Sequence, residues 1–233
     1  MAFAKTLHII NENSKKDGYI EGDDYIVTWA VGHLIELSYP QKYDEGLKKW
    51  SFDTLPFLPK EYLYEIKPQT AKQYKIVAGL LNRPDVDLIL NCGDAAREGE
   101  LIQRLIYRYA GVEGKKPIKR VWIDSATNAE ILRGIKTARD SSVYDKLADA
   151  AYERSIEDYA IGINLSRALT LAYGNYLSRE LGIRGGGTKI AVGRVMTCVL
   201  GMIVERENEI KNFRSVNYYK IDAERSEERR VGK

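Results

Sequence analysis

The stretch Asn91-Cys92-Gly93-Asp94-Ala95-Ala96-Arg97-Glu98-Gly99-Glu100 constrains this chain more than any other. It follows an apolar run at 86–90 and opens an amphipathic run at 101–109. That order reads as strand, tight acidic turn, helix. Acidic groups at the carboxyl end of a strand in an α/β sheet stand where ligands bind. The same acids are also what a helix dipole favours in a first turn. Local pattern therefore leaves two readings open. One is a set of ordinary helix-start acids. The other is a Mg²⁺ site, since Mg²⁺ takes a few carboxylates and completes its shell with water and phosphate oxygens.

The surrounding chain alternates helix and strand. Residues 1–10 read as a short helix. Residues 19–21 and 25–29 read as strands about a Gly22-Asp23 turn, closed by Gly32-His33-Leu34. Residues 38–60 hold three of the six prolines and read as a long ordered loop. Residues 62–66 suggest a strand. Thr70-Ala71-Lys72-Gln73 and Thr127-Asn128-Ala129-Glu130 have the form of capping boxes, each opening a helix. The run 86–92 predicts a central strand, and 118–123 the next one. Leu101, Ile102, Leu105, Ile106 and Tyr109 give the helix at 98–109 one apolar face. The fold class expected is α/β, a sheet with helices packed on it. From residue 143 the character changes to long, nearly Gly-free helix. A Gly- and Arg-bearing loop at 178–193 follows, centred on Gly185-Gly186-Gly187, and then a helix at 195–210. A boundary is placed near Ser141-Ser142.

Composition narrows the function classes. At 233 residues and 44% hydrophobic, the chain can bury a core. No apolar run nears the roughly 20 residues that span a bilayer, and residues 1–13 do not read as a signal peptide. Cys92 and Cys198 form no CxxC pair, which disfavours a zinc module or disulfide scaffold and suits a reducing cytoplasm. A net charge of +3 permits a nucleic-acid partner without arguing for one.

Four segments, in this order, resemble the type IA DNA topoisomerases, most closely the bacterial topoisomerase III group. They are Gly18-Tyr-Ile-Glu-Gly22 with Val27-Thr-Trp-Ala-Val-Gly-His-Leu34, then Asp94-Ala-Ala-Arg-Glu-Gly-Glu100. Next come Ile118-Lys-Arg-Val-Trp-Ile123 with Arg154 and the run from Asp158 to Arg167, and finally Gly193-Arg-Val-Met-Thr197 leading into Ile203-Val-Glu-Arg-Glu207. The resemblance implies a Toprim-type sheet with flanking helices over 1–141, its first strand missing. It implies the start of a mainly helical, DNA-binding central domain over 142–223. The activity implied is ATP-independent cleavage and rejoining of one DNA strand through a 5′-phosphotyrosine. Covalent capture splits one hard step into two.

On this resemblance Asp94 and Glu98 are the Mg²⁺ contacts, and Glu98 and His33 the catalytic candidates. His33, Arg154, Asp158, Arg167, Ala191, Val192, Gly193, Arg194, Val195 and Met196 line the path of single-stranded DNA. Read without the family, Arg154 and Asp158 are equally a surface i,i+4 ion pair, and His33 a satisfied strand-end histidine. Arg179, Arg184 and Lys189 flank the glycines, as phosphate contacts or as a solvated loop. The expected partners are single-stranded DNA only, with no membrane, no small-molecule cofactor and a monomeric chain.

Four departures from the family pattern stand out. Ala96 replaces the second acid of an Asp-x-Asp turn, so weaker or water-mediated metal binding is expected. Met196 and Cys198 stand where the family has Gln and Pro. No Glu-Lys-Pro-Ser turn precedes residue 1, so Met1 is read as an internal methionine. None of the 16 tyrosines has the Pro-Arg-Thr context of the family's nucleophile. Residues 224–233 resemble nothing in the family and read as a non-native or disordered tail. The alternatives to a topoisomerase segment are another Toprim enzyme, such as a primase or nuclease, and a non-catalytic single-strand DNA-binding protein.

Overall fold

The computed structural model describes residues 1–11, 13–184 and 187–223. By packing, the chain forms two compact units, Met1–Gly193 and Arg194–Lys233. Gly185, Gly186 and the expected tail at 224–233 lie outside the described residues.

In the first unit, helix α1 (Ala2–Thr6) is shorter than the run 1–10 suggested. Strands β1 (Lys15–Lys16), β2 (Tyr19–Glu21) and β3 (Ile26–Thr28) form an antiparallel sheet, with Ile20 opposite Val27. The expected hairpin is there, and β1 extends it. Strands β4 (Ile35–Leu37) and β5 (Tyr64–Ile66) pair antiparallel with Glu36 opposite Glu65. Between them the expected loop contains three short 3-10 turns. After helix α2 (Ala71–Leu81) comes the third sheet. Its strands are β6 (Ile89–Asn91), β7 (Ile118–Arg120) and β8 (Arg139–Asp140), in the order β6-β7-β8. Strands β6 and β7 are parallel, and α3 (Arg97–Ala110) makes the crossover between them. Helix α4 (Asn128–Lys136) precedes β8.

The strand expected at the centre, 86–92, is therefore three residues long and lies at the edge of its sheet. Val86 is taken up in a turn, its N–H donating to Arg83 O at 3.2 Å, so only Ile89–Asn91 reach β7. Neither capping box forms. Thr70 Oγ1 donates instead to Leu34 O and Lys67 O, and Gln73 Nε2 to Trp29 O at 2.8 Å. Glu130 is held by Arg133. In each box, tertiary or neighbouring partners outcompete the local cap.

The core joins α2, α3, β4, β6 and β7 through Leu34, Ile35, Val77, Leu101, Leu105, Ile106 and Ile118. Leu101, Leu105 and Ile106 are buried as the 3.6 period predicts. Tyr109 is not, but its hydroxyl donates to Tyr64 O at 2.8 Å. Helix α5 (Asp145–Glu180) packs on α3, with Ala151 in the core and Arg108 over the Tyr152 ring. Arg104 ties the two, reaching Ser141 O at 2.6 Å and Asp145 Oδ1 at 2.9 Å. Packing thus runs on through Ser141-Ser142, and the division of the chain falls after Gly193.

The second unit is α6 (Arg194–Lys211) and the residues after it. Val195, Val199, Met202, Ile203 and Ile210, expected on one side of this helix, are all exposed. The strand-like run 216–223 forms no strand among the described residues. A strand needs a neighbour to take its backbone bonds, and none is described in this unit.

Candidate metal and nucleic-acid site

The acidic turn owes its shape to a buried network that joins β6, α3 and β7. Glu100 is fully buried in the first turn of α3. Arg120, also fully buried, brings Nε to 2.9 Å from Glu100 Oε2, an ionic contact rather than an aligned hydrogen bond. Arg104 Nε donates to the other carboxylate oxygen at 2.9 Å. Asn91 Nδ2 adds a 3.4 Å contact to Glu100 Oε2, and Gly93 N–H donates to Asn91 Oδ1 at 3.0 Å. Arg120 then spreads its remaining donors over the turn. Nη1 reaches Gly93 O at 2.6 Å and Asn91 O at 3.2 Å, and Nη2 donates to Asp94 O. The guanidinium holds the strand end and the turn as one piece, using the planar fork that suits arginine to several acceptors.

Gly99 sets the distance between turn and helix. A Cβ there would stand 2.3 Å from Asp94 O and 2.6 Å from Asp94 N. The two backbones are in contact, and only glycine permits it. Ala96 is the N-cap of α3 and supplies no side-chain cap.

On this frame Asp94 and Glu98 are exposed. His33 Nε2 lies 2.5 Å from Glu98 Oε1, across 65 residues of sequence. Asp94, Glu98, Gly93 and Cys92 line one side of a cavity of about 790 Å³. Burial pushes the Cys92 thiol up to about 12, countered only weakly by Arg120, so it is no nucleophile near neutral pH. Among the described residues no three His, Cys, Asp or Glu side chains cluster as a metal cage. Two exposed carboxylates at one cavity are fewer donors than such a cage supplies; an ion that fills most of its shell with water and phosphate oxygens, as Mg²⁺ does, is the one for which they could suffice.

Of the expected DNA contacts, Asp158 and Val192 line one groove of about 360 Å³, together with Glu36, Tyr39 and Ser166. Arg154 stands 3.9 Å from Asp158 in the i,i+4 arrangement. Ala191 is exposed, and Val192 and Gly193 are half-buried. Arg194, Val195 and Met196 form the first turn of α6 in the second unit. Arg167, expected to face the groove, is buried instead. It packs 5.3 Å from the centre of the Trp50 ring, and its Nε and Nη1 have no acceptor among the described residues. Burial lowers its pKa, opposed by Tyr159.

Sequence reasoning missed Arg120, Gly99, Glu100 and Trp50 as site-building residues. One signal for Arg120 was available. Side chains two apart in a strand share a face, which places Arg120 with the buried Ile118. Trp50 had no such signal, because it lies in irregular chain.

Comparison with known proteins bears on this geometry. A family model described as DNA topoisomerase matches residues 142–233. The chain is 41% identical over 219 residues to DNA topoisomerase 3 of Bacillus cereus, an alignment covering 94% of this chain and 28% of that protein. It is 39% identical over 212 residues to DNA topoisomerase 3 of Staphylococcus epidermidis, covering 91% and 28%. Against the Staphylococcus haemolyticus protein of the same name it is 38% identical over 215 residues. The chain spans about 28% of the length of these relatives.

Proposed function

The chain belongs to the DNA topoisomerase family, and we propose that it forms the metal- and DNA-holding part of a type IA enzyme that cleaves and rejoins one DNA strand. The observation that carries this is the His33–Glu98 contact beside a cavity that Glu98 and Asp94 both line, with the acidic turn braced from below by the Glu100–Arg120 pair. Asp94 and Glu98 would hold Mg²⁺, which supplies charge to the phosphoryl group and orientation to the displaced hydroxyl when bound. His33 orients the Glu98 carboxylate and faces the phosphate path. Arg154, Asp158 and residues 191–196 hold the single strand.

In this reading residues 1–141 are a Toprim-type domain and 142–223 begin the central domain. A cytoplasmic, monomeric chain is part of this reading by family resemblance alone. Among the described residues no helix is long and apolar enough to cross a membrane. In this reading none of the 16 tyrosines of this chain is the nucleophile, since none has the Pro-Arg-Thr context. Several tyrosines here are ill-suited to attack: burial raises Tyr64 to about 12 and pushes Tyr107 and Tyr159 higher still.

Two measurements test the proposal. By fluorescence anisotropy, the 233-residue chain should prefer a single-stranded oligonucleotide to a duplex, with log K falling linearly in log salt. It should leave supercoiled plasmid unrelaxed. A chimaera in which this chain replaces the matching 219 residues of the Bacillus cereus relative should relax plasmid when Mg²⁺ is present. Ala96→Asp in that chimaera should lower the Mg²⁺ needed, and as an N-cap it should add about 1 kcal/mol of stability. Absence of any oligonucleotide binding, or relaxation by the chain alone, would overturn the reading. An inert chimaera that still binds single strands would favour a non-catalytic binding protein, to which the missing acid at Ala96 already points.

A further inference from the structure

The segment 188–192 lies extended along α5 and is bonded to it rung by rung. Val192 N–H donates to Ser166 Oγ at 2.8 Å, and Ser166 Oγ reaches back toward Val192 O at 3.4 Å. Ile190 N–H donates to Thr170 Oγ1 at 2.8 Å, and Thr170 Oγ1 reaches back toward Ile190 O at 3.4 Å. Thr188 N–H is accepted by Gly174 O at 2.9 Å and by Ser178 Oγ at 2.7 Å. The Ser166 and Thr170 hydroxyls each do for one residue what a neighbouring strand would do, accepting from its N–H and donating to its carbonyl, while Ser178 Oγ accepts from Thr188 N–H and lies 2.9 Å from Thr188 Oγ1.

The match has a geometric cause. Four residues of helix advance about 6 Å, and two residues of extended chain about 6.6 Å. Helix positions 166, 170 and 174 therefore keep step with 192, 190 and 188 running the other way. Gly174 is part of the device, because a Cβ there would stand 2.7 Å from Thr188 O.

Period 2 then decides what faces outward. Thr188, Ile190 and Val192 are half-buried on the helix, whereas Lys189 and Ala191 are exposed. Lys189 Nζ lies 5.8 Å from the centre of the Trp50 ring, the same ring that covers Arg167. Two cations converge on one aromatic ring, and the buried Nε and Nη1 of Arg167 have no acceptor among the described residues. Two buried guanidinium donors left without acceptors are costly, and an anionic ligand would relieve them.

We propose that Ser166, Thr170 and Ser178 are positioning residues for polynucleotide binding: their hydroxyls hold 188–192 extended, so that the Lys189 and Ala191 face is presented to a single strand beside Trp50. This rests on the DNA reading above and deepens it. The residues do not touch the ligand; they fix the chain that does.

The test uses the 233-residue chain, a labelled single-stranded oligonucleotide and a salt titration. Ser166→Ala and Thr170→Val should each weaken binding by roughly tenfold and make the salt slope shallower, as phosphate contacts are lost. Thr170→Ser, which keeps the hydroxyl, should bind as the parent does. Amide exchange at Ile190 and Val192 should speed up in Thr170→Val and Ser166→Ala respectively, with the melting of the whole chain little changed. Parental affinity and slope in either deletion, or equal loss in Thr170→Ser, would overturn the proposal. If the parent binds no oligonucleotide, the DNA reading fails. Unchanged exchange in both deletions would show that the rungs do not hold the segment.

Discussion

Replacing Arg120 with methionine is expected to lower the unfolding free energy of the chain by about 3–5 kcal/mol, the cost of breaking a buried ion pair from one side. The substitution keeps most of the side chain's volume, so the loss is chiefly electrostatic. Glu100 would remain fully buried with Arg104 as its one guanidinium partner. The carbonyls of Gly93 and Asp94 would lose the donors that join them to β7. Against a total stability of about 5–15 kcal/mol for an ordinary domain, this is the largest loss a single side chain here should cause. Urea unfolding of parent and variant measures it directly. A second substitution separates charge from shape. Arg120→Met combined with Glu100→Gln removes the stranded carboxylate, so it should be less damaged than the two single changes sum to. A loss below about 1 kcal/mol for Arg120→Met would mean that the pair does not hold the turn.

That network also shows where sequence reading stopped. The strand, turn and helix about the acidic stretch were legible because hydrophobic period marks each of them: Leu101, Leu105 and Ile106 fall on one face and are buried together. Asp94 and Glu98 were legible as ligand candidates because short-range order alone puts them at a strand end. Glu100 looked like one more helix-start acid, since nothing local tells a solvated carboxylate from one neutralised by an arginine 20 residues on. His33 entered only through the family resemblance, because its partner is 65 residues away. The two Thr-led capping boxes misled for a related reason. Thr70 and Gln73 had better partners in Leu34 and Trp29, which tertiary folding brings and sequence spacing cannot show. The segment 188–192 was read as loop because it carries no period of its own; its order is borrowed from α5.

Gly99→Ala and Gly79→Ala are the same chemical change in two helices, and they are expected to have opposite signs. Gly79 lies within α2, and an added Cβ meets nothing within 4 Å. There the substitution should gain up to about 1 kcal/mol, from helix propensity and a less free unfolded chain. The same propensity gain applies at Gly99, but the new methyl would stand 2.3 Å from Asp94 O, 2.6 Å from Asp94 N and 2.9 Å from Asp94 C. All three are backbone atoms of a residue whose carbonyl Arg120 holds, so they cannot swing aside as a side chain would. Overpacking of this kind costs about 1–3 kcal/mol, and steric cost outweighs propensity. Relief requires the turn and the start of α3 to part, which moves Asp94 away from Glu98 and Glu98 away from His33. The expected result is therefore double. Urea unfolding should show a net loss for Gly99→Ala and a gain for Gly79→Ala. In the chimaera with the Bacillus cereus relative, the Gly99 variant should need far more Mg²⁺ to relax plasmid, while the Gly79 variant should match its parent. Equal stability effects at the two glycines would show that the helix does not touch the turn. A destabilised Gly99 variant with an unchanged Mg²⁺ requirement would separate that contact from the metal site and leave Asp94 and Glu98 without the geometric link proposed for them.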